Sequence, residues 1–139
     1  MGKRKTKAIV ECPCGGGLYA RCCARYIECD TPAPTPEALM RSRYTAYALG
    51  KDDYILATWA PRTRPRHLYD AKDARPKWLR LEVLTSDERG DIGHVHFRAT
   101  GRASNGAFHL REYSLFRREN GRWFYVKDRQ EENERETPA

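Results

Sequence analysis

The stretch ECPCGGGLYARCCARY, residues 11–26, contains four of the five cysteines in a chain of 139 residues. They form one C-x-C pair and one C-C pair with three consecutive glycines between the pairs. Such a cluster can be a disulfide framework, a redox centre or a set of metal ligands, and these alternatives have different chemical requirements. The four positions are Cys12, Cys14, Cys22 and Cys23.

Disulfide and redox roles fit this stretch poorly. The N-terminal sequence MGKRKTK lacks the apolar core of a secretory signal, and no apolar run reaches the length of a membrane span, so a cytoplasmic protein is expected. Disulfides rarely persist in that compartment, and adjacent cysteines such as Cys22 and Cys23 cannot bridge each other without backbone strain. A redox dithiol usually has the spacing C-x-x-C at a helix start, which this stretch does not have.

Four thiolates in two close pairs are typical of a tetrahedral Zn²⁺ or of an iron–sulfur cluster. Glycines 15–17 allow the backbone to turn tightly around an ion, and Arg21 and Arg25 can offset the negative charge of four thiolates. A closed set of four cysteines leaves no open coordination position, which indicates a structural ion rather than a catalytic one. We therefore predict a structural Zn²⁺ held by the four cysteines, with iron as the alternative ion.

The segment after the cysteines begins with a proline-rich linker over residues 30–35 and continues into a helical pattern. Thr35 can cap the helix, Pro36 suits its first position, and Gly50 is a natural C-terminal stop. These signals predict a helix over residues 36–50.

A second short helix is predicted over residues 52–60, followed by a proline-rich and charged loop. From Trp78 onward the apolar period changes to two, which is typical of strands. Short turn sequences such as ASNG and ENG separate the strands, so an antiparallel meander is expected. Helices followed by such a sheet constitute an α+β fold. The four predicted strands cover residues 78–85, 93–100, 108–118 and 122–128.

The cysteine stretch and three later segments resemble known sequences. C-P-C-G-G-G-L-Y-A-R-C-C is similar to the SEC-C zinc motif, C-P-C-G-S-G-x-x-Y-x-x-C-C/H, with Tyr19 one place early. That motif is best known from the C-terminal tail of the preprotein-translocase ATPase SecA, where it contacts a chaperone. The segments EALMRSRYTAY (37–47), T-W-x-P-x-T-R-P (58–65) and GRWFYVKD (121–128) resemble the YchJ-like family of uncharacterised bacterial proteins.

The resemblance implies a division of the chain into three parts. A small zinc knuckle of the SEC-C type would cover residues 8–30. A cone-shaped domain of the nuclear-transport-factor-2-like fold, with helices packed on a curved antiparallel sheet, would cover residues 31–130. Residues 131–139 are acidic and are predicted to be a disordered tail.

A cone of this kind can enclose a ligand pocket between its helices and the concave face of its sheet. The alternative is that the same aromatic residues simply fill the core. Glu112 is a separate case, because its strand face is otherwise largely apolar and a buried carboxylate needs a partner. We predict a buried ion pair with Arg41 or Arg43, and the alternative is a general base with a raised pKa. The candidate pocket residues are Tyr44, Tyr47, Trp59, Trp78, Glu112, Arg117, Trp123 and Tyr125.

Three functions remain open from the sequence. A binding or adaptor protein is favoured, because the cysteine set resembles a docking motif and no complete catalytic constellation is evident. Its zinc knuckle would dock a protein partner, and its α+β domain would be a scaffold or a small-ligand receptor. The alternative is an enzyme that acts on a small molecule with Glu112 as acid or base. A nucleic-acid or ribosome-associated protein is a weaker alternative, based on the net charge of +7 and the basic loop RTRPRH, residues 62–67.

Two further features receive structural interpretations. His94 and His96 share a strand face with Arg98, so they are predicted to lie on a solvated outer surface rather than to bind a metal ion. Cys29, the fifth cysteine, lies outside the motif and is interpreted as a spare thiol or a small buried apolar group.

Overall fold

The computed structural model of the chain describes residues 11–69 and 73–129. Along these residues it has a short 3-10 turn, three α-helices and then a four-stranded antiparallel sheet. This order confirms the predicted α+β fold. Within the same residues, no helix is both long and apolar enough to cross a membrane. The basic N-terminus, residues 8–10 of the predicted knuckle and the predicted acidic tail over residues 131–139 lie outside the described residues.

The cysteine stretch folds into a tight loop followed by two short helical segments. A 3-10 turn covers Tyr19–Arg21, and helix α1 covers Ala24–Ile27. In the loop, the Cys12 amide donates a hydrogen bond to the Gly17 carbonyl at 2.7 Å. The chain therefore reverses direction between the two cysteine pairs, which brings the pairs close together.

Helix α2 covers Pro36–Leu49, as the sequence predicts. Thr35 Oγ1 accepts a hydrogen bond from the Ala38 amide at 3.0 Å, and Gly50 ends the helix in a left-handed conformation with φ of 75°. The cysteine stretch, the next helix and the sheet all contact α2. Because these contacts come from several sides, α2 is the central element of the fold.

Helix α3 covers Asp52–Ala57 and is shorter than the predicted helix over residues 52–60. The residues after it pair with the edge of the last strand. The Tyr125 amide donates to the Thr58 carbonyl at 2.8 Å, and the Ala60 amide donates to the Tyr125 carbonyl at 2.7 Å. The prediction was wrong at this end because hydrogen bonds to a distant strand replace the last helical turn.

The antiparallel meander predicted from the sequence is confirmed. The first two strands were predicted to end at residue 85 and to begin at residue 93, but their pairing continues through most of the intervening segment to Arg89. The turn itself contains only Gly90 and Asp91, and Gly90 has a positive φ of 61°. The four strands, which pair in sequence order, are β1 Lys77–Arg89, β2 Ile92–Ala103, β3 Gly106–Glu119 and β4 Arg122–Asp128.

Strand β1 forms one edge of the sheet and contains two bulges. Its pairing with β2 skips one residue at Leu79 and one at Leu84. Both leucines are exposed, with 45% of the surface of Leu79 and 42% of that of Leu84 accessible to solvent. The edge of the sheet is therefore irregular.

One face of the sheet carries the hydrophobic core. Val95, Phe97 and Ala99 of β2 are buried on this face, and His94 and His96 lie on the opposite face, as predicted. Helix α2 packs closely on the core face. A Cβ added to Gly93 of β2 would collide with the ring of Pro36, the first residue of α2. Buried cysteines of the loop belong to the same cluster of core residues, so the cysteine stretch and the sheet share a continuous interior.

Candidate functional site

The four motif cysteines lie together in the folded chain. Their Sγ atoms all lie within 4.8 Å of one another. Cys14 Sγ is 3.5 Å from Cys22 Sγ and 3.7 Å from Cys23 Sγ, and the Cys22 and Cys23 sulfurs are 4.0 Å apart. Four thiolates around a tetrahedral ion with metal–sulfur bonds of about 2.3 Å have their sulfurs about 3.8 Å apart. The arrangement therefore fits a single ion bound by four sulfurs.

The glycine run between the cysteine pairs has a local structural explanation. Gly17 has a φ of 118°, in the region that residues with a side chain rarely adopt. An added Cβ at Gly16 would lie 2.9 Å from Cys22 Sγ and 3.3 Å from Cys14 Sγ. A side chain at this position would push against two of the candidate ligands, so the loop needs a glycine there.

Helix α2 supports the cysteine cluster from the side of the core. Thr45 is fully buried, and its hydroxyl donates to Cys23 Sγ at 3.3 Å and lies 3.5 Å from Cys12 Sγ. Arg41 donates to the Cys14 carbonyl at 3.0 Å. Sequence reasoning missed both residues as supports of the cysteines. Their i, i+4 spacing places them on one face of a helix, but only the tertiary contact shows that this face meets the cysteines.

Two arginines of the cysteine stretch were predicted to offset the charge of the thiolates. Arg25 Nε donates to the Cys22 carbonyl at 3.0 Å, and its guanidinium lies over the Tyr26 ring at 4.9 Å from the centroid. Arg25 is therefore fixed beside the cluster. Arg21 lies at the end of the 3-10 turn next to Cys22.

Hydrogen bonds and burial shift the pKa values of three of the thiols in different directions. Hydrogen bonds from the Cys14 and Cys23 thiols lower the pKa of Cys12, so its thiolate is the favoured one. Hydrogen bonds with Cys12 and Cys14 raise the pKa of Cys23, and burial raises the pKa of Cys22 to about 11. A bound metal ion has to displace the remaining protons, so its affinity falls as the pH is lowered.

A cavity of about 290 Å³ lies between α2 and the core face of the sheet. Leu110 lines it and is 39% exposed, so the cavity reaches the surface of the protein. Six of the eight predicted pocket residues line this cavity: Tyr44, Tyr47, Trp59, Trp78, Glu112 and Tyr125. The other lining residues are Met40, Arg43, Phe97, Ala99, Leu110, Ser114 and Phe116.

Arg117 and Trp123, the other two predicted pocket residues, do not line the cavity. Arg117 is the register partner of Phe124, on the face of the sheet opposite to Phe116. Its guanidinium lies 3.9 Å from Glu119 at the surface. Trp123 is only 3% exposed and packs in the core beneath the Arg118 guanidinium, 5.0 Å from the ring centroid. Arg117 is outside the cavity because the sheet register places it on the opposite face. Trp123 is outside the cavity because it is packed into the core.

Glu112 has neutral hydrogen-bond partners instead of the predicted ion pair. Its Oε2 accepts from Ser114 Oγ at 2.8 Å and from the Tyr125 hydroxyl at 2.9 Å. Within the described residues neither Arg41 nor Arg43 forms an ion pair with it, so that prediction was wrong. Arg41 contacts the cysteine loop, and Arg43 is held by α3. Burial against the cavity walls raises the pKa of Glu112 above its ordinary value.

Arg43 is the cavity residue that sequence reasoning considered only as a partner of Glu112. It is 6% exposed, and its Nη1 donates to the Ile55 carbonyl at 2.7 Å and to Thr58 Oγ1 at 2.6 Å. Its guanidinium lies over the Trp59 and Tyr125 rings, 5.1 Å and 4.6 Å from their centroids. Arg43 lies four residues before Tyr47, on the same face of α2, and this spacing was a signal that could have identified it.

The remaining sequence candidates neither line the cavity nor belong to the cysteine cluster. Arg64 donates to the Trp59 carbonyl through Nε and Nη2, at 3.0 Å and 2.8 Å, so one side chain of the basic loop has a structural role. His94 stacks on Tyr113 on the outer face of the sheet, with ring centroids 5.5 Å apart. Cys29 is exposed and outside the cysteine cluster.

Comparison with known proteins identifies close relatives over nearly the whole chain. The family model described as "YchJ, middle NTF2-like domain" matches residues 35–128. A UPF0225 protein of Chromobacterium violaceum is 51% identical over 129 residues, covering 89% of this chain and 96% of the relative. A UPF0225 protein of Streptomyces coelicolor is 44% identical over 116 residues, covering 83% of this chain and 91% of the relative.

Two solved structures have the same fold. A SEC-C motif containing protein from Rhodopseudomonas palustris has a TM-score of 0.75 and 39% sequence identity, covering 85% of this chain and 96% of that protein. A SEC-C motif containing protein from Psychrobacter arcticus has a TM-score of 0.70 and 27% identity, covering 86% of this chain and 81% of that protein.

Proposed function

This chain belongs to the YchJ-like family, and on that premise we propose that it is a binding protein whose four cysteines hold one structural Zn²⁺. The observation that carries the proposal is the set of four Sγ atoms within 4.8 Å of one another. Three of these cysteines are almost completely buried, and besides them the stretch over residues 11–26 buries only Tyr19, Ala24 and Tyr26. The ion would stabilise the fold of this small segment, as a hydrophobic core does in a larger one.

The proposal predicts about one equivalent of zinc per chain by elemental analysis of the purified protein. Cys22→Ser removes one ligand and is expected to lose most of the metal, because three thiolates hold a structural ion less tightly. Cys29→Ser is the matched control, since Cys29 is exposed and outside the cluster. A protein with iron and visible iron–sulfur absorption would contradict the assignment, and so would full zinc content in Cys22→Ser.

The hydrogen bond from Thr45 of α2 to the cysteine cluster predicts an effect on zinc affinity. Thr45→Val keeps the shape of the side chain and removes the hydroxyl that donates to Cys23 Sγ. Loss of a hydrogen bond to a ligand typically weakens metal affinity by about tenfold or more. The measurement is competition for zinc with a chromophoric chelator. Thr45→Ser retains the hydroxyl and is expected to stay near the wild-type affinity, whereas equal weakening of both variants would point to packing instead.

We further propose that the α+β domain is a receptor for a small ligand. The support is the cavity of about 290 Å³, which opens to the surface and has largely aromatic walls. Arg43, Glu112 and Ser114 contribute polar groups to these walls. Apolar walls with few polar groups are the usual composition of small-molecule sites.

An enzyme that uses Glu112 as acid or base is the second candidate. One observation favours it, because burial raises the pKa of Glu112 and therefore brings its titration closer to neutral pH. Docking of a protein partner by the cysteine segment stays a prediction. Leu18, 47% exposed beside the cysteine loop, is an apolar side chain that such a partner could cover.

A further inference from the structure

The cavity is lined by two oppositely charged groups that are not directly paired. Arg43 and Glu112 both line it. Within the described residues they form no ion pair, although their charges influence each other's pKa values. A buried charge is stable only when opposite charge or hydrogen-bond partners surround it. Arg43 and Glu112 each form hydrogen bonds with protein groups, and each also has polar atoms that form none with the described residues.

Arg43 retains donors that none of the described residues uses. Its Nη1 is occupied by the Ile55 carbonyl and Thr58 Oγ1. Across residues 11–69 and 73–129, its Nε and Nη2 have no hydrogen-bond partner. The Trp59 and Tyr125 rings and the α3 contacts fix the orientation of the guanidinium. The result is a buried cation that is held in place and still has donors for an anionic group.

Glu112 retains an acceptor in the same way. Both of its protein hydrogen bonds, from Ser114 and Tyr125, go to Oε2. Its Oε1 accepts none from the residues that the structure describes. The cavity therefore offers an unused anionic acceptor as well as unused donors.

We propose that the cavity binds a small zwitterion with an apolar or aromatic body, of the α-amino-acid type. This inference rests on the proposed receptor function and names its ligand class. The carboxylate of the ligand contacts the free donors of Arg43, its ammonium group contacts Glu112 Oε1, and its body packs against Tyr44, Trp78 and Phe116. The volume of about 290 Å³ is at the lower end of the range of small-molecule pockets, which suits a ligand of this size.

Ligands that carry a single charge fit the same groups less well. A monoanion would satisfy Arg43 but place a second negative charge near Glu112. A monocation would satisfy Glu112 but bring a positive charge near Arg43. Like charges in a site of low polarity repel each other strongly, so each of these ligands loses affinity that the zwitterion keeps.

A matched series of four probes tests this proposal on the metal-loaded full chain. L-phenylalanine carries both charges, hydrocinnamate lacks the ammonium group, phenethylamine lacks the carboxylate, and hydrocinnamyl alcohol lacks both. At neutral pH, calorimetric titration is expected to show L-phenylalanine binding at least about tenfold more tightly than each of the others, because each missing charge removes a charged hydrogen bond. Tightest binding of any other probe would overturn the zwitterion assignment and leave the receptor function intact. If none of the four binds, both proposals are contradicted.

A substitution at Glu112 separates the role of its charge from that of its shape. Glu112→Gln keeps an acceptor for Ser114 and Tyr125 and removes the negative charge. It is expected to abolish the preference for L-phenylalanine over hydrocinnamate, with thermal stability close to that of wild type. Glu82→Gln is the matched control, because Glu82 lies outside the cavity and contacts Arg98. An unchanged preference in Glu112→Gln would overturn the proposed contact with the ammonium group.

Discussion

Removal of the proposed Zn²⁺ is expected to lower the midpoint of thermal unfolding by about 10 °C or more. The cysteine cluster joins the N-terminal loop and α1 to the face of α2 that carries Thr45. In zinc-finger peptides, binding of a structural ion contributes about 10 kcal/mol or more to folding. Only part of that is expected here, because the sheet and helices have a core of their own. A loss of about 3 kcal/mol already corresponds to roughly 10 °C for a domain of this size.

Thermal unfolding followed by circular dichroism, with and without a strong chelator, measures this effect. Cys23→Ser, at a position only 1% exposed, is expected to unfold near the midpoint of the metal-free protein and to be insensitive to the chelator. Cys29→Ser is expected to behave like wild type in both conditions. A midpoint that stays constant while the metal content falls would show that the ion does not stabilise the fold.

Phe116→Ala is expected to lower the free energy of unfolding by about 3–5 kcal/mol, the range found when a buried phenylalanine is truncated. Phe116 is 1% exposed, lies between α2 and the sheet, and contacts the Tyr125 ring with centroids 5.8 Å apart. Its truncation removes buried apolar surface and enlarges the neighbouring cavity. Urea unfolding followed by tryptophan fluorescence measures the change.

Phe124→Ala provides the matched control for this prediction. Phe124 lies on the opposite face of the sheet and is partly exposed, so its truncation is expected to cost clearly less. Equal losses for the two variants would mean that the core face does not dominate the stability of the sheet.

Features that depend on local chemistry could be predicted from the sequence. The cap at Thr35, the proline at the first helical position and the glycine at the end defined α2 correctly. The period of two located all four strands and placed His94 and His96 on the outer face. The spacing of the cysteines identified a cluster that the structure brings within 4.8 Å. In each case the signal lies within a few residues of the feature that it predicts.

Features that depend on distant contacts could not be predicted in the same way. Helix α3 ends early because the residues after it pair with Tyr125, far along the chain. Glu112 was assigned an arginine partner, but the alternation of β3 places Ser114 beside it and the register of β4 brings Tyr125 within reach. The support of the cysteines by Thr45 likewise requires knowledge of which helix face they meet. Only the assembled fold determines these partners.

The two edges of the sheet are closed to further strands by different means. Backbone groups of β4 at Tyr125 are already used by residues 58 and 60, so a strand from another molecule cannot pair there. None of the described residues pairs with the outer edge of strand β1, but the bulges at Leu79 and Leu84 interrupt the row of amide groups that an added strand would need. This irregular edge opposes fibril-like stacking of identical chains, even though both leucine side chains are exposed to water.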